Sequence, residues 1–220
     1  MPDKPVLYIG EKNVSSWSMR AWVALNHKGV AFEERTISLH ADKDRGERRK
    51  LSPTGKVPVL LHDGLAIPDS LAIFEYAEET WPASGHRPLW PADKKERANA
   101  RWLAAAMHSG FPRLRESMSF NLCFLAVRPA ATAAALAEAR EMLGWFEQTL
   151  ERKTDAGPFL FGAFCGADAA YAPAIVRLSA FDVPTSATPR ARAYLAAVLE
   201  HEAVKAWLDE ARRLDPVENE

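Results

Sequence analysis

The order of apolar and polar positions divides the chain into two parts. In roughly the first eighty residues, short apolar runs alternate with segments of helical spacing: strand, helix, strand, charged segment, hairpin, helix. From residue 93 onward the apolar positions recur at helical spacing, and the sequence shows no convincing strand pattern. The pattern therefore predicts a small α/β domain followed by an all-α domain.

Local signals place the elements of the first part. Serines precede the first helix and Gly29 follows it, as is typical of a helix N-cap and a C-terminal stop. The His-Asp-Gly segment at 62–64 predicts a hairpin turn. In the second predicted strand the apolar residues are Phe32, Ile37 and Leu39. The predicted elements are strands at 6–10 and 32–39, helices at 19–29 and 70–80, a hairpin at 57–67, and a charged, solvated helix or loop at 42–50.

A segment rich in proline and glycine separates the two parts and predicts a linker. Helical spacing then predicts helices at 93–118, 130–150, 165–179 and 191–214. Gly110 and Pro112 should bend or interrupt the first of these helices. The predicted domains are residues 1–81, a linker at 82–92, and residues 93–220.

Composition narrows the classes of function. With 48% hydrophobic residues the chain can bury a core, and its net charge of −1, without a basic block, argues against nucleic acid as a partner. No apolar run approaches the ~18 residues of a membrane span, and the N-terminus shows no signal-peptide pattern. Cys123 and Cys165 form no framework, which favours a reducing cytoplasm and two buried, unreactive thiols. The six histidines show no metal-ligand spacing, so we expect no metal.

One proline stands at the entrance of a strand. Pro58 precedes the apolar run 59–61, and a proline there marks a strand start or a sheet edge. It holds Val57 extended, with backbone groups that an extended peptide could pair with. Taken alone, this stretch favours an ordinary surface turn.

Four motifs together give the sequence a family resemblance: residues 15–20 (Ser-Ser-Trp-Ser-Met-Arg), 55–58 (Gly-Lys-Val-Pro), 69–70 (Asp-Ser) and 161–168. Their order and spacing resemble the cytosolic glutathione transferases over nearly the whole chain, and most closely the serine-type bacterial, zeta-like members. The resemblance implies a thioredoxin-like, glutathione-binding N-terminal domain and a helical-bundle C-terminal domain with an electrophile pocket. It also implies a homodimer.

The resemblance implies a role for the serines before Arg20. Ser15 stands where serine-type transferases place the hydroxyl that activates glutathione, and Ser16 is the rival candidate. A hydroxyl donor at the positive end of a helix would favour the thiolate, which is the nucleophile. The alternative, from the residues alone, is that these serines only cap the helix.

The resemblance also assigns the parts of the tripeptide. The backbone of Val57, ahead of a cis Pro58, would pair with the cysteinyl part, and Asp69 with Ser70 would hold the γ-glutamyl end. The alternative for Asp69 and Ser70 is a simple helix cap, and both roles are compatible. The glycyl carboxylate needs a cation, for which the candidates are His40, Lys43 and, preferred, Lys56.

The second substrate is expected along the helix at 93–118. The electrophile-pocket candidates are Trp17, Trp102, His108 and Phe111, with a core-facing helix surface as the equal alternative. His108 could assist proton transfer. In the last motif Cys165 replaces the usual hydroxyl residue of a capping box, while Asp168 keeps its place three residues on.

Three functions remain open at the level of sequence. The first is conjugation of glutathione to a small hydrophobic electrophile. The second is a glutathione-dependent isomerisation of the maleylacetoacetate type, which zeta-like members perform; Trp17 stands where those members have cysteine, and this disfavours it. The third is a non-catalytic binding protein that keeps the fold.

Overall fold

The structure is a computed structural model that describes residues 4–39, 42–153 and 155–216. Its first part comprises β1 (Val6–Ile9), α1 (Ser16–Lys28), β2 (Glu33–Thr36), α2 (Asp42–Leu51), β3 (Val59–His62), β4 (Leu65–Pro68) and α3 (Ser70–Thr80). The strands form one mixed sheet in the order β2-β1-β3-β4, in which β1 is parallel to β2 and antiparallel to β3. The predicted α/β part is confirmed.

The second part is helical, as predicted. It comprises α4 (Lys94–Ser109), α5 (Pro112–Ser117), a 3-10 turn (Asn121–Phe124), α6 (Ala133–Arg152), α7 (Gly166–Ala180), α8 (Pro189–Glu200) and α9 (Glu202–Ala211). Within the described ranges, β structure outside the sheet is limited to isolated bridges between residues 159 and 163. Among the helices that the structure describes, in either part of the chain, none has the length and apolar character that a membrane span requires.

Two predicted helices are each divided in two. The helix predicted at 93–118 ends at Ser109, and Phe111, with a left-handed backbone (φ 60°), precedes Pro112 at the start of α5. The predicted interruption is therefore confirmed. The helix predicted at 191–214 divides at His201, whose extended backbone separates α8 from α9 and whose ring accepts the Ala203 N–H at 3.3 Å. Apolar residues continue at helical spacing across His201, so the sequence pattern did not predict a break there.

The second strand differs from its prediction in extent and in character. Strand β2 covers only Glu33–Thr36, and all four residues are exposed. The three expected apolar members, Phe32, Ile37 and Leu39, lie outside it. As an edge strand, β2 pairs on one side only, and polar residues are compatible with that position. The charged segment after it forms the helix α2, one of its two predicted states.

Helix α7 forms the centre of the molecule. It is apolar on nearly all sides, contacts both α1 and α4, and is buried from Gly166 to Leu178, which is typical of a core helix. The predicted linker is partly core as well, because Leu89 and Trp90 are buried. A Cβ on Gly166 would lie 2.8 Å from the Trp90 indole, so this contact requires glycine.

A buried lysine joins the two parts close to the start of α1. Lys12 Nζ lies 2.9 Å from the Glu34 carboxylate and 2.6 Å from that of Glu210 in α9. The ammonium also lies 4.7 Å from the Trp22 ring centroid and 5.3 Å from that of Trp207. Two carboxylates and two aromatic faces compensate the burial of this charge, so the loop before α1 is held against the helical domain.

A pair of histidines at the same interface predicts loss of stability in acid. His27 Nδ1 lies 3.2 Å from His201 Nε2, and Phe164 stacks on His201 at 3.7 Å. Burial, then the neighbouring His201 and Arg87, lowers the pKa of His27 to about 4 from 6.5. Because the unfolded chain takes up this proton first, we expect the free energy of unfolding to fall between about pH 6.5 and pH 4, by about 1.4 kcal/mol per pH unit for one proton.

Thermal unfolding of wild type and His27→Gln across this pH range tests the expectation. The variant cannot be protonated at this position, so its melting temperature should fall less on acidification than that of wild type. His86→Gln, in the loop after α3, is the control and should follow wild type. Equal acid sensitivity of wild type and His27→Gln would contradict the assignment.

Candidate active site

The N-terminus of α1 presents two serine hydroxyls with different partners. Ser15 is the N-cap residue, yet its side chain makes no capping hydrogen bond. Its hydroxyl instead donates to Ser18 Oγ at 2.7 Å, and Ser18 Oγ also accepts the Gly10 N–H at 3.2 Å. Ser16 Oγ accepts from Arg177 Nη2 of α7 at 3.2 Å. The capping alternative therefore does not account for the Ser15 hydroxyl.

The Val57-Pro58 bond is cis, as the resemblance predicts. Pro58 is buried at the entrance of β3, while Val57 is partly exposed. Among the described residues, no backbone hydrogen bond to Val57 is found outside the regular elements, and Val57 belongs to none of them. Its N–H and C=O are therefore available to a ligand.

The N-terminus of α3 carries the Asp-Ser pair. Asp69 is the N-cap, with φ 84°, and its Oδ1 accepts the Leu71 N–H at 2.8 Å. Its Oδ2 lies 3.2 Å from Nε2 of His108, which belongs to α4. Ser70 is fully buried, and its hydroxyl has no hydrogen-bond partner in the part of the chain that the structure describes. An unpartnered hydroxyl at a helix N-terminus suits an anionic ligand.

These elements enclose one cavity of about 620 Å³. The predicted residues that line it are Ser15, Ser16, Trp17, Lys56, Val57, Pro58, Asp69, Ser70 and His108. The cavity has five further lining residues to which the sequence analysis assigned no ligand contact, Val14, Leu39, Arg48, Thr54 and Gly55. The structure thus places three separate sequence motifs on one cleft.

Two predicted pocket residues are not in this cleft. Trp102 is 53% exposed, and its ring lies 5.5 Å from that of Trp145 in α6; the Phe111 ring is 5.2 Å from Trp145. At 3.6 residues per turn, the six-residue spacing places Trp102 and His108 on different faces of α4. Phe111, whose backbone is left-handed, is buried with its ring against Trp145 of α6. Trp102 and Phe111 therefore do not line this cleft, and Phe111, which is buried, follows the core-facing alternative.

Positive charge is concentrated behind the cleft wall. The Trp17 ring lies 4.2 Å from the Arg20 guanidinium and 4.9 Å from that of Arg115. Burial, followed by repulsion from Arg115 and Arg177, lowers the pKa of Arg20 to about 9. Its Nε and Nη1 have no hydrogen-bond partner within the described ranges. This cluster could not be predicted from the sequence, because its members lie on three different helices, α1, α5 and α7.

Two cations reach the rim of the cleft. Lys56 is exposed and forms no ion pair with a described carboxylate. Arg48 of α2, which the sequence did not indicate, donates to the Ser38 carbonyl and, at 3.3 Å, to that of Gly55. The other candidates lie outside the described residues, His40 entirely and Lys43 in its side chain.

Neither cysteine lines the cleft. Cys165 is buried, and burial raises the pKa of its thiol. Cys123 is only partly buried, in contrast to the prediction, but burial still raises its pKa to about 11. Neither thiol is therefore ionised near neutral pH. The described residues contain no group of three or more His, Cys, Asp or Glu side chains placed to hold a metal ion.

Comparison with known proteins agrees with this geometry. The family model of the glutathione S-transferase N-terminal domain matches residues 14–80, and that of the C-terminal domain matches residues 129–210. Glutathione transferase GST 23 of Zea mays is 32% identical over 219 residues, which cover 93% of this chain and 92% of that protein. The chain belongs to the glutathione S-transferase family.

Two further proteins similar to this chain are an isomerase relative and a transferase of known structure. A probable maleylacetoacetate isomerase of Caenorhabditis elegans is 39% identical over 111 residues, and the match spans only half of each chain, 50% of this one and 50% of that one. A glutathione transferase homolog from Burkholderia, solved with bound glutathione, has a TM-score of 0.73 and 28% identity, covering 96% of this chain and 100% of its own. This chain is therefore similar over nearly its whole length to a protein whose structure contains bound glutathione.

Proposed function

We propose that this chain binds glutathione in the cleft and transfers its thiolate to a small electrophile. The observation that carries the proposal is one cavity lined by the Ser15 hydroxyl, the unpaired backbone of Val57 and the Asp69-Ser70 helix start. These groups suit the sulfur, the middle and the γ-glutamyl end of one extended tripeptide. The cytoplasmic location, which the cysteine content favours, and the homodimer, which the resemblance implies, stay predictions.

The polar ends of the tripeptide have complementary groups. The buried Ser70 hydroxyl and the first amides of α3 would receive the γ-glutamyl carboxylate, which the helix dipole also favours. The Asp69 carboxylate would pair with the α-ammonium group. Lys56 and Arg48 at the rim would attract the glycyl carboxylate.

The sulfur end requires an ionised thiol. A free thiol with a pKa near ~8.5 is mostly protonated at neutral pH. If the Ser15 hydroxyl turns from Ser18 to the sulfur, it donates to the thiolate, and the α1 N-terminus favours the same charge. The thiol proton leaves to solvent, so no general base is required. The thiolate then forms the carbon–sulfur bond, and the electrophile loses its leaving group.

The arginine cluster favours a second candidate, isomerisation of an unsaturated carboxylic acid. Arg20, Arg115 and Arg177 form a positive region behind Ser16 and Trp17. They do not line the cleft, so this region would attract a substrate carboxylate through its electrostatic field. In this reaction the thiolate adds to a carbon–carbon double bond, the resulting single bond rotates, and elimination returns the thiolate. The similarity to a probable maleylacetoacetate isomerase supports this candidate, and Trp17 in place of cysteine weakens it.

Two assays separate the candidates. With an aryl chloride, a transferase consumes one glutathione per chloride released; with a cis-configured unsaturated dicarboxylic acid, an isomerase gives the trans product without consuming glutathione. Arg115→Gln should raise KM for the dicarboxylic acid and leave KM for the uncharged aryl chloride nearly unchanged. No turnover in either assay, with glutathione bound, would favour the non-catalytic alternative. No binding at millimolar glutathione would contradict the proposal.

A further inference from the structure

We propose that His108 is a positioning residue, which fixes the Asp69 carboxylate for glutathione and makes the affinity for glutathione depend on pH. The inference rests on the proposed function of the cleft. It assigns a role in the thioredoxin-like site to a side chain from the helical domain. His108 acts in this account through Asp69 and not on the sulfur.

The Asp69 carboxylate is held by contacts on both of its oxygens. Its Oδ1 accepts the Leu71 N–H at 2.8 Å, and its Oδ2 lies 3.2 Å from His108 Nε2. Each carboxylate oxygen is thus held by a different element, α3 or α4. An exposed aspartate side chain would otherwise rotate freely, and ligand binding would have to order it. Two fixed oxygens present the negative charge in one orientation before glutathione arrives.

The surroundings of His108 select its protonation state. The Nδ1 atom is buried and has no hydrogen-bond partner in the described chain, so a proton on it would be left without an acceptor. The Nε2–H tautomer avoids this and donates to Asp69. Burial, and then Arg20 and Arg115, lower the pKa of His108, while Asp69 opposes them. The fourth neighbour, Trp17, presents an uncharged ring at 4.9 Å.

A pH dependence follows from this arrangement. Above the pKa of His108 the imidazole is neutral, and Asp69 offers its full negative charge to the α-ammonium group of glutathione. Below that pKa an imidazolium at 3.2 Å neutralises Asp69 and repels the ammonium. Affinity should therefore be highest at neutral pH and should fall as pH decreases through the pKa of His108. Bound glutathione should in turn lower this pKa further.

Two replacements at one position separate positioning from packing. In His108→Gln, the amide nitrogen can still donate to Asp69 but cannot titrate; in His108→Phe, a ring still packs against Trp17 but nothing is donated. At neutral pH we expect His108→Phe to raise the Kd for glutathione about three- to tenfold, the effect of one lost hydrogen bond, with a smaller change in kcat. His108→Gln should stay near wild type at neutral pH and lose the acid-side decrease.

Calorimetric titration with glutathione from roughly pH 8 down to below the ordinary range of histidine, as the lowered pKa of His108 requires, measures these effects. His86→Gln, outside the cleft, is the matched control and should reproduce the wild-type profile. An unchanged Kd in His108→Phe, or a wild-type pH profile in His108→Gln, would overturn the inference while leaving the glutathione site intact. Absence of binding in wild type would instead refute the proposed function on which the inference rests.

Discussion

Replacing Ser15 by alanine is expected to reduce kcat/KM about one-hundred- to one-thousand-fold, the usual effect of removing one donor to a developing anion. Ser15 lines the cleft at the positive end of α1, and its hydroxyl does not cap the helix. Without it, the pKa of the bound thiol should return toward the ~8.5 of a free thiol. Ultraviolet absorbance of the thiolate, titrated in the complex, measures this pKa directly.

Two neighbouring serines provide controls for this result. Ser18→Ala removes the acceptor of the Ser15 hydroxyl but leaves that hydroxyl in place, so the loss should stay below about tenfold. Ser16→Ala removes an acceptor of Arg177 and should leave the thiol pKa nearly unchanged. A raised thiol pKa in Ser16→Ala, with Ser15→Ala like wild type, would transfer the role to Ser16.

Replacing Asp168 by alanine is expected to lower the free energy of unfolding by about 3 to 5 kcal/mol, because buried donors lose their acceptor. Asp168 is fully buried at the start of the core helix α7. Its Oδ2 accepts the Cys165 N–H at 2.8 Å, and its Oδ1 accepts the Leu160 N–H at 3.4 Å. Alanine would leave both N–H groups unpaired in the interior.

Asp93 offers a matched control on the surface. It caps α4 in a similar way, accepting the N–H groups of Lys95 and Glu96 at 2.9 Å each, but solvent can replace it there. Urea unfolding of Asp93→Ala should therefore show a clearly smaller loss than that of Asp168→Ala. Equal losses in the two variants would show that burial of the Asp168 cap contributes little.

Local signals in the sequence were sufficient for most of the fold and for the frame of the site. The turn at Asp63-Gly64, the start of α3 at Ser70 and the interruption after Gly110 depend on neighbouring residues, and the structure contains all three. The cis bond before Pro58 was predicted only through the family resemblance.

Features that depend on distant contacts could not be predicted in this way. The break at His201 is stabilised by contacts with His27 and Phe164, which are far away in sequence. The arginines behind Trp17 come from three helices, and the sequence gives no sign that they meet. The Trp102 ring of α4 lies beside the Trp145 ring of α6, a contact that periodicity alone does not fix.

The central claim is that one cleft holds extended glutathione by its middle, its γ-glutamyl end and its sulfur. A crystal structure of the protein with glutathione tests it most directly. We expect the cysteinyl N–H and C=O to pair with the Val57 backbone, with the sulfur at hydrogen-bond distance from Ser15 Oγ and the γ-glutamyl group at Asp69 and Ser70. Glutathione bound in another cavity, or in this cleft without a contact to Val57, would contradict it.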